Sequence, residues 1–165
     1  MDLTLRPIVQ SDCAALVRRF EGCRLGAYRP TPTDRPTIGW GATYDAGGIP
    51  VRLGQRWTQA KADARLAADL DSVGRQVGDL LGHAATTAPQ LAALTAFAYN
   101  VGMAALAGSS LLALHRAGRT TAAAAQFARW NHQGRTVLAG LTRRRAAEAA
   151  LYLSAELRPA IDAAA

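Results

Sequence analysis

Cysteine is scarce in this 165-residue chain: Cys13 and Cys23 are the only two. They fall near the ends of one expected helix, about 15 Å apart at ~1.5 Å per residue, too far for a disulfide. No CxxC pair or Cys/His cluster occurs, which argues against a structural zinc site. His83, His115 and His132 have no metal-ligand spacing either, and they are expected in loops or at the surface. No metal or cofactor is expected. Lysine is almost absent, since Lys61 is the only one. Long apolar runs are missing too, with none approaching the ~20 residues that cross a bilayer. Met1-Asp2-Leu3-Thr4-Leu5-Arg6-Pro7 lacks the basic and then apolar regions of a secretory signal. Neither a signal peptide nor stable membrane insertion is expected, so a target outside the cytoplasm requires separate delivery.

What is present is ordinary globular composition, 50% hydrophobic and 19% charged. The length suits a single domain, 1–165, able to bury roughly two-thirds of its unfolded surface without cross-links. The net charge of +7 and a sequence pI near 10.4 favour a polyanionic partner: nucleic acid, an anionic membrane surface or an anionic wall polymer. Trp40, Trp57 and Trp130 are dispersed and no binding motif organises the arginines, so nucleic acid is not expected.

Pro7 to Gln10 reads as a lead-in, with Ser11 or Asp12 as N-cap. Cys13, Leu16, Val17 and Phe20 then mark one helical face, which Gly22 ends with Glu21 in the last turn. From Arg24 to Val51, Pro30, Pro32 and Pro36 exclude a helix, whereas Thr37, Ile38, Trp40 and Tyr44 favour strand. A two- or three-stranded antiparallel sheet is expected there, too small to stand alone. Thr58 caps a long helix striped by Leu66, Leu70, Val73, Val77 and Leu80 or Leu81, in which Gly74 and Gly78 allow a close contact or a bend. Pro89 opens another helix, Ser109 or Ser110 caps a short one, and Thr120 or Thr121 caps the alanine-rich run to Trp130. A loop or hairpin between Gly134 and Gly140 precedes a last helix, about Leu141 to Ser154. The segments are then a β-containing lobe at about 12–57, a connecting helix at about 58–81, a helical lobe at about 82–154, and a frayed tail at 155–165.

The chemistry centres on Glu21. A carboxyl group at a helix end, facing a compact β segment, suits a general acid. Asp34, in the preceding Pro-rich loop, supplies a second carboxylate. Such a pair cleaves glycosidic bonds when one group protonates the leaving oxygen and the other orients water or stabilises oxocarbenium-like charge. The hydroxyl of Thr37 is placed to hold that water. On the last helix Arg144 or Arg145 points inward by spacing and needs a carboxylate, either Glu21 or Glu148; a surface pair with Glu148 is the alternative.

These residues carry a resemblance. Phe20-Glu21-Gly22-x-Arg24-Leu25-x-Ala27-Tyr28, then Thr37-Ile38-Gly39-Trp40-Gly41, is similar to the N-terminal signature of the phage-type lysozymes, the endolysin muramidases. Ala96-Phe97-Ala98-Tyr99-Asn100-Val101-Gly102, Ser109-Ser110-Leu111-Leu112, Phe127-x-x-Trp130-Asn131 and Gly140-Leu141-x-Arg143-Arg144-Arg145-x-x-Glu148 follow in family-like order. The resemblance implies a lysozyme-like α+β fold: a small antiparallel β lobe and a larger helical lobe, joined by a long helix, with the active-site cleft between them. It implies hydrolysis of the β-1,4 bond between N-acetylmuramic acid and N-acetylglucosamine in peptidoglycan. Glu21 and Thr37 take the family's catalytic positions, and Tyr28, Gly39, Trp40, Asn100 and Gly102 are implied to bind substrate, with Arg144 and Arg145 in a supporting ion pair. The resemblance also implies a holin-type membrane lesion as the route to the wall; a monomer is expected, its arginine excess aiding adsorption to anionic wall or outer-membrane polymers.

The aspartate departs from the pattern. Its usual position holds Pro30, and the segment up to Thr37 is one residue longer, so Asp34 is expected to serve through a rerouted loop, with Asp45 in reserve. Ala42 stands where the family often has a histidine, which removes a structural ion pair. A lytic transglycosylase, needing one acid and yielding a 1,6-anhydro product, is the alternative enzyme. A non-catalytic wall-binding phage module is the alternative outside catalysis.

Overall fold

A computed structural model describes residues 6–154 of the chain, with backbone alone at 6–8; the tail expected at 155–165 lies outside the described residues. Helix α1 runs Arg6–Phe20, so the expected lead-in is already helical. Pro7 falls in the first turn, where a missing N–H forfeits no intrahelical bond, and Ser11 and Asp12 are interior rather than caps. Val9, Cys13, Leu16 and Val17 bury one face of α1. Both cysteines are free thiols.

Strands β1 (Arg24–Tyr28) and β2 (Thr37–Gly39) pair antiparallel, Arg24 opposite Gly39 and Tyr28 opposite Thr37, with the register shifting between those pairs. The expected third strand is reduced to bridges joining Gly26 to Arg56 and Tyr44 to Pro50. Ile38, Val51, Trp57 and Ala62 form the small core of this lobe. Gly39 is required twice over: its φ is +63°, and a Cβ would sit 3.2 Å from the Ala62 Cβ against the Trp57 ring.

Helix α2 (Gln59–Leu81) leaves the β lobe under a Thr58 cap, whose Oγ1 accepts the Lys61 N–H at 3.2 Å. Ala62 packs in the β-lobe core, while Leu66, Leu70, Val77 and Leu81 enter the helical core. One helix of ~35 Å thus serves both lobes. Of its two glycines, Gly74 is buried, and a Cβ there would lie 3.6 Å from Thr95 Oγ1 on the next helix, while Gly78 faces open space.

Helix α3 (Ala88–Val101) is the centre of the helical lobe, buried from Pro89 through Ala98 and opened by a capping box between Thr87 and Gln90. Short helices α4 (Met103–Ala107), α5 (Ser110–Arg116, capped by Ser109) and α6 (Thr120–Gln126) follow. A 3₁₀ turn at Phe127–Trp130, a hairpin of β3 (His132–Gln133) and β4 (Thr136–Val137), and α7 (Ala139–Leu153) complete the lobe. Neither threonine caps α6: Arg119 holds the cap position and Thr120 is already helical. Phe97 meets Phe127 and Trp130 edge-on at 5.4 and 5.3 Å.

His115 is a second correction, since it is buried rather than at the surface. Its ring nitrogens bond the Thr86 hydroxyl at 2.8 Å and the Tyr152 hydroxyl at 2.5 Å, tying α5 to the α2–α3 loop and to α7. Its i+4 spacing from Leu111 on the buried face of α5 was the available signal. Burial pushes its pKa below the ordinary 6.5. Below that value the unfolded chain takes up a proton that the folded imidazole resists, so stability present above it is lost as pH falls. The melting temperature of the protein relative to that of a folded His115→Gln variant is therefore expected to fall between about pH 7 and about pH 5. A difference between the two that does not change over this range would contradict this.

Candidate active site

Glu21 stands just past α1, its N–H still bonded to the Val17 carbonyl at 2.8 Å. Arg144 reaches it from α7, Nη1 to Oε1 at 2.5 Å, and donates from Nε to Glu148 Oε1 at 3.1 Å. Arg145 lies 3.2 Å from Glu148 Oε2. It also donates from Nη2 to Asn100 Oδ1 at 2.5 Å, with its guanidinium over the Phe97 ring. Arg144, Arg145 and Glu148 are no more than 3% exposed, so the surface-pair alternative does not hold; both carboxylates are engaged. Two acids and two bases in one cluster keep the buried charge balanced. Burial pushes the Glu148 carboxyl up to about 7 against the pull of Arg145 and Arg144, and burial likewise lowers the pKa of Arg145.

The Glu21 side chain remains 31% exposed and borders two pockets. Towards the β lobe it shares one of about 380 Å³ with Trp40, Tyr44, Asp69, Tyr99 and Asn100. Towards α7 it shares another, of about 610 Å³, with Arg19, Asn100, Leu141, Arg143 and Arg144. A third, beyond Asn100, reaches Trp130 and His132 on the hairpin side. Glu21 and Asn100 therefore stand where the pockets towards the β lobe and towards α7 meet, in a groove that runs from the β lobe to the hairpin. Its β-lobe wall is fixed by the Tyr99 hydroxyl donating to the Trp40 carbonyl at 3.1 Å, and by Trp40 Nε1 donating to Asp63 at 2.8 Å. The Trp40 bond holds the Asp63 carboxyl below its ordinary range, and burial pushes the Tyr99 hydroxyl up.

Of the residues expected in the site, Trp40 and Asn100 line the groove with Glu21, and Arg144 and Arg145 support it from behind. Gly39 packs inside the β lobe. Gly102 joins α3 to α4 at φ +92°. Tyr28 lies against the Arg24 guanidinium at 4.3 Å. Thr37 is buried, its hydroxyl donating to the Arg35 carbonyl at 3.1 Å. Asp34 occupies an exposed turn, its N–H bonded to the Thr31 carbonyl at 3.1 Å. None of these five lines either of the two pockets described for Glu21. Asp45, the reserve, accepts the Gly47 and Ile49 N–H groups at 2.9 Å and shapes its own turn. Sequence reasoning missed Tyr99, Arg65 and Asp69 as groove residues. Tyr99 adjoins Asn100 in a recognised block, and Arg65 and Asp69 are an i,i+4 pair 2.6 Å apart, beside Ala42 in the same wall. Among the described residues no cluster of three His, Cys, Asp or Glu side chains is placed to hold a metal ion.

A small antiparallel β lobe and a larger helical lobe, sharing one long helix and meeting at a groove headed by a glutamate, define a lysozyme-like α+β protein. The chain belongs to the phage lysozyme family, whose family model matches residues 18–148. It is 41% identical over 140 residues to an endolysin of Bacillus phage PZA, covering 84% of this chain and 52% of that one. The chain thus spans about half the length of that relative. It is 34% identical to an endolysin of Salmonella phage P22, covering 88% of this chain and 98% of the relative. Among solved structures, the muramidase domain of SpmX from Asticaccaulis excentricus superposes with a TM-score of 0.75 at 35% identity, over 86% of this chain and 94% of that one. An endolysin from Escherichia coli O157:H7 phage FAHEc1 superposes with a TM-score of 0.78 at 30% identity, over 87% and 92%.

Glu148→Ala would strand two buried guanidiniums, and it is expected to destabilise the fold by about 3–5 kcal/mol, read by urea denaturation. A loss within the surface-pair range of about 1 kcal/mol or less would contradict the buried cluster.

Proposed function

We propose that this chain is a peptidoglycan muramidase, hydrolysing the β-1,4 bond between N-acetylmuramic acid and N-acetylglucosamine to lyse a bacterial host. The observation that carries the reading is Glu21 at the meeting of two pockets of the groove, gripped at Oε1 by the buried Arg144 yet open to a strand lying there. The relatives named endolysin and the neighbour titled a muramidase domain support the substrate class. In this reading Glu21 protonates the glycosidic oxygen as the bond breaks, Asp34 orients the attacking water, and the Thr37 hydroxyl helps hold it. Trp40 and Asn100 contact the glycan directly, while Gly39, Gly102 and Tyr28 shape the backbone behind them.

A second reading has an observation in its favour: Asp34 and Thr37 line neither of the two pockets described for Glu21, and Asp69, which lines one, is engaged by Arg65. With Glu21 as the single available acid, the muramyl 6-hydroxyl attacks the anomeric carbon, and Glu21 gives its proton to the departing oxygen and recovers one from the attacking hydroxyl. The product is a 1,6-anhydro end, as in a lytic transglycosylase.

Wall association is proposed to be electrostatic. Arg24, Arg29, Arg35, Arg52 and Arg56 are exposed on the β lobe, and none forms an ion pair among the described residues. They suit anionic wall or outer-membrane polymers rather than nucleic acid. No helix among the described residues is long and apolar enough to cross a membrane, and the proposed route to the wall is a holin-type lesion, with the protein acting as a monomer.

Mass spectrometry of muropeptides released from purified peptidoglycan, at low and high salt, tests these readings together. Reducing N-acetylmuramic ends are expected, with release falling as salt screens the arginines and abolished in a folded Glu21→Gln variant. Ends lighter by one water would select the transglycosylase. No release would overturn both and favour a non-catalytic wall-binding module.

A further inference from the structure

The β-lobe wall of the groove is a loop with little of its own to hold it in place. Ala42, Thr43 and Tyr44 line the pocket beside Glu21. Ala42 is tied to β2 by two backbone bonds with Ile38, at 2.9 and 3.0 Å, but its methyl group can form no ion pair. The turn beyond it is built within itself. The Asp45 carboxylate accepts the Gly47 and Ile49 N–H groups at 2.9 Å. The Asp45 N–H donates to the Ile49 carbonyl, and the Val51 N–H to the Thr43 carbonyl, both at 2.9 Å. These bonds fix the shape of the turn and not its position against α2.

That position comes from Arg65, in the second turn of α2. Its Nε and Nη2 fork onto Asp69 Oδ2 and Oδ1 at 3.0 and 2.6 Å, and its Nη1 donates to the Asp45 carbonyl at 2.7 Å. The fork onto Asp69, one turn along the same helix, fixes the guanidinium plane, so Nη1 is aimed at the loop. An ordinary i,i+4 surface pair contributes little; this one directs its remaining nitrogen to a segment 20 residues away. Among the described residues no other side-chain hydrogen bond joins the loop beyond Ala42 to α2. Arg65 and Asp69 are 24% and 23% exposed and both border the pocket, so the clamp is part of the wall. Tyr99 stands between this pair and the acid. Burial raises the pKa of its hydroxyl, and the Asp69 and Glu21 carboxylates raise it further.

We propose that Arg65 is a positioning residue: it locks the wall formed by Thr43 and Tyr44 in the conformation that receives the glycan, and it leaves the chemistry to Glu21. The inference rests on the muramidase reading for the identity of the ligand. Glu21 is directed from α7 by Arg144, so one arginine sets the acid and the other sets the wall. A wall held for only part of the time lowers the apparent affinity by the fraction held. Substrate and transition state lose that binding alike, which raises KM and leaves kcat unchanged.

The test is the division between KM and kcat on soluble peptidoglycan fragments. Arg65→Gln is expected to raise KM about tenfold, the effect of a wall held about a tenth of the time, with kcat within about twofold of wild type. Arg65→Lys, a point charge unable to serve Asp69 and Asp45 together, should fall between. Arg75→Gln is the control. It removes the i,i+4 pair with Asp71 from the same helix, outside the two pockets described for Glu21, and should leave KM unchanged. An unchanged KM in Arg65→Gln, a fall in kcat at constant KM, or an equal rise in Arg75→Gln overturns the proposal. Amide hydrogen exchange is measured on the same proteins. Gly47, Ile49 and Val51 should exchange faster in Arg65→Gln by about the same factor as KM, while α3 keeps its protection. Unchanged exchange at these three amides overturns the proposal as well, and an equal loss of protection in α3 would make Arg65 a general stabiliser and overturn it too. If wild type cleaves no peptidoglycan the muramidase reading fails, while exchange still decides the clamp.

Discussion

Arg144 holds two carboxylates at once, Glu21 from 123 residues earlier in the chain and Glu148 one turn along its own helix. The rest of the site is arranged around that bridge. Glu21 lies beyond the last residue of α1, on a stretch whose own backbone gives it one hydrogen bond, so its direction is set from α7. Glu148, fully buried, keeps the guanidinium from turning towards solvent, and Arg145 closes the cluster against Asn100 and Phe97. The groove therefore inherits its geometry from the helical core, and the β lobe is brought to it by the Tyr99–Trp40 bond.

This arrangement places rigid and permissive parts differently. Behind Glu21 are α3 and α7, buried and cross-linked by charge. In front of it is the loop that begins at Gly41 and runs to Pro50, held by turn bonds, by the Arg65 contact to the Asp45 carbonyl at 2.7 Å, and by a core of four residues; the turn at Thr31–Arg35 joins it through Arg35, which donates to the Tyr44 hydroxyl. Local opening is expected to concentrate in elements with so few buried contacts. The groove thus has a fixed acid on one side and a less firmly held wall on the other.

Much of this was legible in the sequence, for reasons that differ by residue. The two lobes followed from the prolines and glycines between Gly22 and Gly54, and the long helix from its apolar stripe and Thr58. Arg144 and Glu148 were legible as inward residues because their spacing puts them on the face of Tyr152, although spacing alone left their partner open. The start of α1 was misplaced because Pro7 was read as a boundary, whereas a first helical turn tolerates it. His115 was misread because a titratable side chain was assigned to solvent against the evidence of its spacing. Tyr99, Arg65 and Asp69 were missed because they become neighbours of Glu21 only when α2 and α3 pack together, a relation with no local signature.

The most direct test of the bridge is the turnover of Arg144→Lys on peptidoglycan. Lysine keeps the charge but cannot fork between two carboxylates, so Glu21 would lose its fixed direction while the groove kept its lining. The account predicts a folded variant whose kcat falls by about 10²-fold, the scale of a small misplacement of a reacting group, with KM little changed. A folded Arg144→Lys protein with wild-type kcat would show that Glu21 is positioned by something other than this arginine.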